Sequence, residues 1–432
     1  MNATASPDSA AFPKLSDDGL LFVVAALAAA FVLFGLIVSG PASVVSGLPK
    51  ILLARDTLIT DYIEIGGVGA ACVNAGLLTL VTVAIYRLSG VAISGGAMAA
   101  MLLVLGFGLF GKNLLNVWPI IGGVWLYSRY KGEAFSKHIN TAFFGCALAP
   151  IFSEILFSSP LTAATSVPLG LLTGLVIGFI LPPAAAQLFN AHGGFSLYNM
   201  GFTAGIVGTV VVAVYKAYGF VPDPVFHWST GNNALLGGFL AMLCLGLIGL
   251  GLHVDRSALS RLKDILVLPG RSPSDFIAMV GPGPTLVNMG ASGLIGIAYV
   301  LAVGGDLNGP TIGAMFTIVG FAAYGKHPRN IAPIMAGVFL ASFVTRGSAS
   351  DPSLLLAALF GTTLAPIAGR FGWAWGVVAG VVHSSVAQSV GVVHGGLNLY
   401  NNGFAAGIVA SVLAPTIAAL QTRNADSDEE KL

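Results

Sequence analysis

The phrase HGGFSLYNMGFTAGIVG begins at His192, and nearly the same phrase, HGGLNLYNNGFAAGIVA, begins at His394. The two copies lie 202 residues apart and share four glycines, a Leu-Tyr-Asn triplet and an Ala-Gly-Ile-Val run. Repetition over such a distance indicates a duplicated structural unit, whose extent has to be established before any element is assigned.

The match extends over most of the chain. DYIEIGGVGAACVNAG from Asp61 corresponds to DFIAMVGPGPTLVNMG from Asp275, at an offset of 214 residues. FGKNLLNVWPIIGGVWL from Phe110 corresponds to YGKHPRNIAPIMAGVFL from Tyr324 at the same offset. The offset is 216 between FGCALAPI, from Phe144, and FGTTLAPI, from Phe360, and falls to 202 at the phrase quoted first, so the first copy carries about 14 extra residues, near SSPLTAATSVP.

Composition indicates the class of protein. Of 432 residues, 56% are hydrophobic and only 9% are charged, and the mean hydropathy is +0.88. Uncharged runs such as GLLFVVAALAAAFVLFGLIVSG, from Gly19, reach the roughly 20 residues with which a helix crosses a bilayer. A net charge of +1 leaves no basic surface for nucleic acid. The sequence therefore predicts an all-α, polytopic helical membrane protein.

Two homologous repeats of about seven hydrophobic segments each are predicted between polar tails. The predicted boundaries are a tail at 1–19, membrane repeat 1 at 20–217, a linker at 218–233, membrane repeat 2 at 234–420 and a tail at 421–432. In repeat 1 the segments lie near 20–40, 62–87, 91–110, 113–128, 138–156, 167–190 and 198–217. Some of them are short enough to be half-helices.

The number and charge of these segments predict the topology. An odd number of crossings in each repeat turns the second repeat upside down relative to the first. The two most basic loops, Arg129 to Lys137 and Arg256 to Arg271, lie four crossings apart and hence on one side, which the positive-inside rule makes cytoplasmic. We therefore expect inverted repeats in the inner (plasma) membrane with both termini cytoplasmic, although a re-entrant fourth segment would change the parity.

A Gly-Lys-x-x-x-Asn-x-x-Pro motif occurs in both copies within apolar sequence. Its residues are Gly111, Lys112, Asn116 and Pro119 in repeat 1, and Gly325, Lys326, Asn330 and Pro333 in repeat 2. Proline fits the first turn of a helix, so the motif predicts a helix break followed by a helix start. Such breaks persist in membranes where they line a polar cavity, and a lysine there would favour anions. The alternative is that both lysines lie at the bilayer edge and snorkel.

Other polar residues recur in step with this motif. Asn74 and Asn288 lie among glycines, where an amide either bonds a neighbouring helix or faces a solute. Asn199 and Asn401 follow tyrosines that form either an aromatic wall or an interfacial belt. Asp61 and Asp275 are predicted helix caps. His192 and His394 lack companions at metal-ligand spacing, so we expect neither a metal nor a cofactor.

Two classes of function remain open. The first is a transporter or channel that moves a small polar or anionic solute along a pathway between the repeats, lined by the lysine motifs and the repeated asparagines. The second is an intramembrane serine hydrolase that would use Ser292 of the sequence GASG, with His383 or His394 as its base. A repeated polar set suits a two-fold pathway, whereas a catalytic pair needs only one copy. Transport without enzymatic activity is the interpretation that we favour.

The repeated phrases carry two resemblances. G-K-x-x-x-N-x-x-P and Y-N-x-G-F-x-A-G-I resemble a prokaryotic family of multi-pass membrane proteins known only as a domain of unknown function, which implies no activity. The Asn-x-Gly and aromatic-Asn-x-Gly phrases are similar to short motifs of urea transporters, although the paired lysines are not part of that pattern. This second resemblance implies a pore at a pseudo-two-fold axis. The expected partners are the lipid bilayer and a small-molecule or ion solute, and a homo-oligomer is compatible with them.

Overall fold

The computed structural model describes residues 15–345 and 347–429, the last eight of them by their backbone alone. Most of the predicted N-terminal tail and the last three residues of the C-terminal tail lie outside these ranges. The helices are α1 (Asp17–Leu52), α2 (Tyr62–Leu88), α3 (Gly95–Phe107), α4 (Trp118–Lys131), α5 (Ile139–Gly145), α6 (Ala149–Phe157), α7 (Ala163–His192), α8 (Asn199–Ala217), α9 (Asn233–Val254), α10 (Ala258–Leu266), α11 (Phe276–Val280), α12 (Pro282–Ala302), α13 (Gly309–Phe321), α14 (Pro328–Ser342), α15 (Pro352–Gly361), α16 (Ala365–Phe371), α17 (Trp373–Ser389) and α18 (Asn401–Glu429).

Little regular structure other than α-helix is present in these ranges. Two strands of two residues each, β1 (Ile59–Thr60) and β2 (Phe226–His227), pair in parallel and tie the start of repeat 1 to the linker. Short 3₁₀ turns join α5 to α6 and α15 to α16. The all-α prediction is confirmed.

Ten helical segments of the described residues are long and apolar enough to cross a membrane. Five belong to each repeat: α1, α2, α5 with α6, α7 and α8 in the first, and α9, α12, α15 with α16, α17 and α18 in the second. Apolar side chains such as Ile37, which is 81% exposed, cover their outer surface. Such a surface has to be covered by lipid rather than by water. The chain is a multi-pass helical membrane protein.

Two shorter helices lie between the second and third long helical segments of each repeat, α3 and α4 in the first and α13 and α14 in the second. The apolar helices α3 and α13 have 13 residues each and are too short to cross a bilayer, since 13 residues span only about 20 Å. Each is followed by a non-helical stretch and then by α4 or α14. These stretches contain the repeated lysine motifs.

Contacts between the repeats are reciprocal. The carboxylate of Asp61 caps α2 by accepting from the amide of Ile63 at 2.9 Å, and also accepts from the amide of Gly309 at 3.1 Å, at the start of α13. Asp275 caps α11 and accepts from the amide of Gly95 at 3.0 Å, at the start of α3. Both aspartates are therefore caps, and each also anchors the short helix of the other repeat.

The short helices α3 and α13 pack against each other in opposite directions. The first residue of each lies beside the carbonyl group that follows the end of the other, Gly309 against Leu109 and Gly95 against Ala323. The helices α8 and α18 meet through Gly201 and Gly403, where a Cβ on Gly201 would lie 2.8 Å from the Cα of Gly403. Because each contact recurs with the repeats exchanged, an approximate two-fold axis relates the repeats and passes through both helix crossings.

Candidate functional site

The first helix break lies between Phe107, at the end of α3, and Trp118, at the start of α4. Gly111 adopts a left-handed backbone conformation with φ +77°, which residues that have a side chain rarely adopt. Pro119 lies in the first turn of α4, where its missing N–H costs no hydrogen bond. For repeat 1, the predicted break and helix start agree with the structure.

The second break differs in where its helix begins. Helix α14 starts at Pro328, so Pro333 lies inside this helix and the prediction that it marks a helix start is wrong. The reason is a second proline that already suits the first turn, where repeat 1 has Leu114. The side chain of Asn330 accepts from the amide of His327 at 2.9 Å, just as that of Asn116 accepts from the amide of Asn113 at 3.0 Å, so this bond is common to both breaks and the proline makes the difference.

The side chains of Asn74 and Asn288 form hydrogen bonds to backbone carbonyl groups at the two breaks. The Asn74 amide group donates to the carbonyl oxygens of Gly108 (2.7 Å) and Lys112 (3.0 Å). The Asn288 amide group donates to those of Ala322 and Lys326, both at 2.8 Å. Each side chain thus satisfies carbonyl groups that an ended helix leaves free, which agrees with bonding to a neighbouring helix rather than contact with a solute.

Asn116 and Asn330 also bind the backbone of their own motif. Their amide groups donate to the carbonyl oxygens of Gly111 (3.0 Å) and Gly325 (2.9 Å), respectively. Both asparagines are buried. They hold the glycine turns and do not line the central cavity described below.

The two lysines reach across the molecule to the opposite repeat. The ammonium group of Lys112 donates to the hydroxyl group of Tyr400 at 2.5 Å, and that of Lys326 donates to the hydroxyl group of Tyr198. Lys326 also donates to the hydroxyl group of Thr362 at 2.8 Å. The tyrosines belong to the phrases that begin at His192 and His394, so the two most distinctive repeated motifs meet in space.

Aromatic rings surround both ammonium groups. That of Lys112 lies 5.2 Å from the ring centroid of Phe107, and that of Lys326 lies 5.4 Å from the ring centroid of Phe321. The two lysines are fully buried, which does not fit the snorkelling alternative. Among the described residues, no carboxylate forms an ion pair with either ammonium group. Cation–π contacts and hydrogen bonds to tyrosine oxygens therefore stabilise the ammonium groups in place of a carboxylate counter-ion.

Asn199 and Asn401 occupy equivalent places at the starts of α8 and α18. The Asn199 side chain bonds the ring of His192 at 2.9 Å and the carbonyl oxygen of Ala185 at 3.0 Å. Asn401 makes the same bonds to His394 (3.0 Å) and Ala387 (2.8 Å). These bonds attach the phrase quoted first to the end of the preceding helix. No group of three His, Cys, Asp or Glu side chains within the described ranges is placed to hold a metal ion.

A cavity of about 340 Å³ lies between the repeats at the two-fold axis. Equivalent residues from both repeats line it: Phe107 and Phe321, Tyr198 and Tyr400, Leu197 and Leu399, Phe144 and Phe360, and Gly201 and Gly403. The lysines lie behind this wall, and their tyrosine partners form part of it. The volume falls within the range typical of small-molecule sites.

The cavity extends toward one end of the molecule only. Ser94, Asn140, Ser272 and Tyr324 line that end and are partly exposed. Phe110, the repeat 1 equivalent of Tyr324, is buried and does not line the cavity. A symmetric site therefore has an asymmetric entrance.

The residues proposed for the hydrolase are not hydrogen-bonded to one another within the described ranges. Ser292 is buried in α12 and its hydroxyl group has no hydrogen-bond partner among the described residues. The ring of His383 bonds the side chain of Asn402 at 3.2 Å, and that of His394 bonds Asn401. No hydrogen bond therefore joins Ser292 to either histidine in the part of the chain that the structure describes.

Sequence reasoning missed a buried polar cluster behind the first break, centred on Asp56. The carboxylate of Asp56 accepts from the hydroxyl groups of Tyr62 and Ser153, both at 2.7 Å, and from the amide group of Asn116 at 2.9 Å. These residues lie far apart in sequence. The available signal was that Asp56, Tyr62 and Ser153 are polar where repeat 2 has Gly270, Phe276 and Gly369.

The fold and the central cavity define a helical membrane protein built from two repeats around an approximate two-fold axis. A protein-family model described as "Protein of unknown function (DUF1576)" matches residues 40–217 and 254–419, which fits a repeated layout. The chain belongs to this family, as the repeated phrases indicated. Neither the search among curated proteins nor that among solved structures gave a match, so the similarity to urea transporters is not shown.

Proposed function

We propose that this protein transports a small anionic or strongly polar solute through the cavity between its repeats. The main support comes from two tyrosines, Tyr198 and Tyr400, which line this cavity. Each of them accepts a hydrogen bond from a buried lysine of the opposite repeat. Each tyrosine keeps its own O–H for a second partner. The cavity therefore offers two donors, each polarised by an ammonium group behind it.

The charge of the surroundings favours an anion over a cation. Lys112 and Lys326 bring two positive charges to the axis without a carboxylate partner within the described ranges. An unpaired charge at membrane depth costs a few kcal/mol or more. A negatively charged or acceptor-rich solute in the cavity offsets part of this cost, whereas a cation adds to it.

We further propose inverted repeats and a cytoplasmic position for both termini. Helices α3 and α13 run in opposite directions, and Tyr62 at the start of α2 bonds Leu109 beyond the end of α3, so α2 and α3 are antiparallel as well. If α2 spans the membrane, its counterpart α12 crosses it in the opposite direction. At the end with the entrance, Asp17 near the start of α1 bonds the amide of Ile93.

The basic loops identify that end as cytoplasmic in this proposal. Tyr86 bonds Asn140 at 2.6 Å, just after the basic segment that runs from Arg129 at the end of α4 to Lys137, and Arg271 bonds the carbonyl oxygen of Gly193. Both basic loops thus adjoin the end where the cavity opens. By the positive-inside rule this end faces the cytoplasm, and the proposed location is the plasma membrane.

Uptake into proteoliposomes tests the proposed transport. Purified protein is reconstituted and presented separately with oxalate and nitrate as anions, urea as a neutral polar solute and rubidium as a cation. We expect uptake of an anion or of urea by the wild type and not of rubidium. The double variant Lys112→Met/Lys326→Met should lose this uptake, and Tyr198→Phe/Tyr400→Phe should reduce it while retaining both rings.

Lys137→Met is the matched control, because Lys137 is exposed and pairs with Glu133 on the surface. It should transport as the wild type does. Undiminished uptake in the double lysine variant, or selective uptake of rubidium by the wild type, would contradict the proposed site.

Covalent catalysis is not part of this proposal. The absence of a hydrogen bond between Ser292 and a histidine within the described residues supports transport over hydrolysis. A fluorophosphonate probe should therefore leave the protein unlabelled. Labelling of the wild type that disappears in Ser292→Ala would favour the hydrolase instead.

A further inference from the structure

Repeat 1 buries a carboxylate that repeat 2 lacks. Asp56 lies in the loop between α1 and α2 and is fully buried. Besides its bonds to Tyr62, Ser153 and Asn116, it has no ion pair with a Lys, Arg or His among the described residues. With the amide group of Asn113, 3.4 Å away, four donors surround this carboxylate, so it is not arranged to bind a metal cation, which would require oxygen acceptors.

A second buried carboxylate adjoins the first. Glu154 follows Ser153 in α6, and its side chain has no exposed surface. Its Oε1 lies 3.4 Å from a guanidinium nitrogen of Arg55, whereas its Oε2 has no hydrogen-bond partner among the described residues. An oxygen of this kind is costly to bury unless it carries or contacts a proton.

The charges within this cluster do not balance. Asp56 and Glu154 contribute two negative charges, and Arg55 contributes one positive charge. Tyr62 is the remaining titratable group that faces Asp56, Lys112 points away toward Tyr400, and the linker contributes the backbone carbonyl of Asp223, which accepts from Arg55 at 2.7 Å. One proton would neutralise the excess charge.

We propose that Asp56 and Glu154 form a proton-binding site that couples proton movement to transport by this protein. The proposal rests on the transport function proposed above. The proton arrives from water beside Arg55, whose side chain is 31% exposed, and adds to the carboxylate of Asp56. An O–H bond forms and no other covalent bond changes, so the site gains one positive charge.

Protonation changes the hydrogen bonds that reach the lysine motif. A protonated Oδ2 of Asp56 can donate to Ser153, whose hydroxyl group then turns to another acceptor, and it no longer offers Asn116 a charged acceptor. Asn116 also holds the carbonyl oxygen of Gly111, directly before Lys112. The chain of contacts from Asp56 through Asn116 to Gly111 thus connects the proton with the Lys112 side of the cavity.

Burial raises the pKa of Asp56 to about 7, although the hydrogen bonds from Ser153, Tyr62 and Asn116 lower it. The carboxyl group therefore exchanges its proton close to neutral pH. Repeat 2 has Gly270 and Arg370 where repeat 1 has Asp56 and Glu154, so only the first break responds to a proton in this way.

Infrared spectroscopy of the full-length protein in detergent tests proton binding without transport. The C=O band of a protonated carboxyl group should appear in the wild type at mildly acidic pH and disappear as the pH rises through neutrality. The component that titrates through neutrality should be lost in Asp56→Asn and shifted in its pH dependence in Glu154→Gln, whereas a contribution from Asp61, whose pKa burial also raises, should remain. Asp18→Asn is the control, because Asp18 is exposed and its change should leave the band unaltered.

Transport measurements test the coupling. Proteoliposomes that contain a pH-sensitive dye are given oxalate and nitrate separately, and we expect wild-type uptake to be accompanied by proton entry. Asp56→Asn should keep downhill uptake but lose both proton entry and accumulation driven by a pH gradient. If this variant does not fold, Glu154→Gln and the wild-type infrared titration still decide the matter.

The two proposals fail in different ways. A titrating carboxyl band without uptake of any solute would overturn the transport function and leave the proton site intact. A wild type without such a band, or an Asp56→Asn variant whose uptake remains coupled to protons, would overturn the proton site.

Discussion

The helix breaks of the two repeats share a backbone geometry and differ in what lies behind it. Gly111 and Gly325 both have positive φ, and an asparagine side chain closes each break with two hydrogen bonds to carbonyl groups. Behind the first break lies the Asp56 cluster. Behind the second lies the backbone of Gly270, so close that a Cβ on Gly325 would lie 2.5 Å from its carbonyl oxygen.

This difference separates two requirements of the site. The repeated residues set a shape, because they satisfy backbone groups that a broken helix leaves free. The unrepeated residues determine how each break responds to its surroundings. The first break is surrounded by polar groups, and the second is packed against backbone. Variants at equivalent positions of the two repeats can therefore distinguish effects on the backbone geometry of a break from effects of the groups that surround it.

The largest difference is expected in the pH dependence of stability. Burial raises the pKa of Asp56 to about 7 in the folded protein, above the ordinary aspartate value of 3.8, so folding takes up a proton between these values. The free energy of unfolding therefore falls as the pH rises through this window, by up to about 4 kcal/mol, and levels off above it. Thermal unfolding in detergent between about pH 5 and pH 8 measures this fall.

Asp56→Asn should remove most of this pH dependence, since an amide does not titrate there. Burial also raises the pKa of Asp61, so the difference between wild type and variant, rather than the wild-type slope alone, reports on Asp56. Identical slopes in the two proteins would contradict a proton on this carboxyl group.

The next largest difference is expected for alanine substitutions at Gly111 and Gly325, which should destabilise the protein more in repeat 2. Alanine at either position adopts an unfavourable positive φ, at a cost of about 1–3 kcal/mol. At Gly111 the new Cβ meets the side chain of Leu399, which can move, whereas at Gly325 it meets backbone. We expect Gly325→Ala to destabilise by roughly 3 kcal/mol or more and Gly111→Ala by less. Equal losses of thermal stability would mean that the backbone of Gly270 can move away from the new Cβ at position 325.

These positions also show what the sequence could predict. The constant offset of 214 residues paired Gly111 with Gly325 and Lys112 with Lys326, and it predicted the breaks because glycine and proline have fixed backbone preferences. The same rule failed at Pro333, since Pro328 offered an earlier helix start. Composition and the length of the uncharged runs predicted the membrane class.

Contacts across the axis could not be predicted in this way. That Lys112 bonds Tyr400 and not Tyr198 depends on how the repeats pack, which no local spacing encodes. The Asp56 cluster brings together residues from α2, α6, the loop before α2 and the first break. Its members are ordinary polar residues until the fold brings them together.

Asn74 and Asn288 provide a comparison in which the repeats should nearly agree, apart from the long bond of 3.3 Å that the Asn74 oxygen alone accepts from the amide of Leu114. Each side chain donates two hydrogen bonds to the backbone of its own break, at 2.7–3.0 Å. Replacement by alanine leaves two buried carbonyl groups without a partner in either repeat. We expect Asn74→Ala and Asn288→Ala each to lower the free energy of unfolding by about 2 kcal/mol. Markedly unequal losses would show that the two breaks are not closed in the same way.

Asn116 and Asn330 should show the smallest and most specific difference. Both hold the carbonyl oxygen of their glycine, but Asn116 also donates to Asp56. A hydrogen bond to a charged acceptor is worth more than a neutral one, so at about pH 8 Asn116→Ala should cost about 1 kcal/mol more than Asn330→Ala. Chemical or thermal unfolding in detergent measures both losses.

The excess cost of Asn116→Ala should depend on the Asp56 carboxylate. In an Asp56→Asn background the acceptor is no longer charged, so the costs of Asn116→Ala and Asn330→Ala should converge. The excess should also shrink below the pKa of Asp56, because protonation removes the same charge. If the excess cost persists in both conditions, it comes from the bond of the Asn116 amide group to the neighbouring hydroxyl group of Ser153, 3.2 Å away. That result would contradict the proposed connection between the proton and the lysine motif.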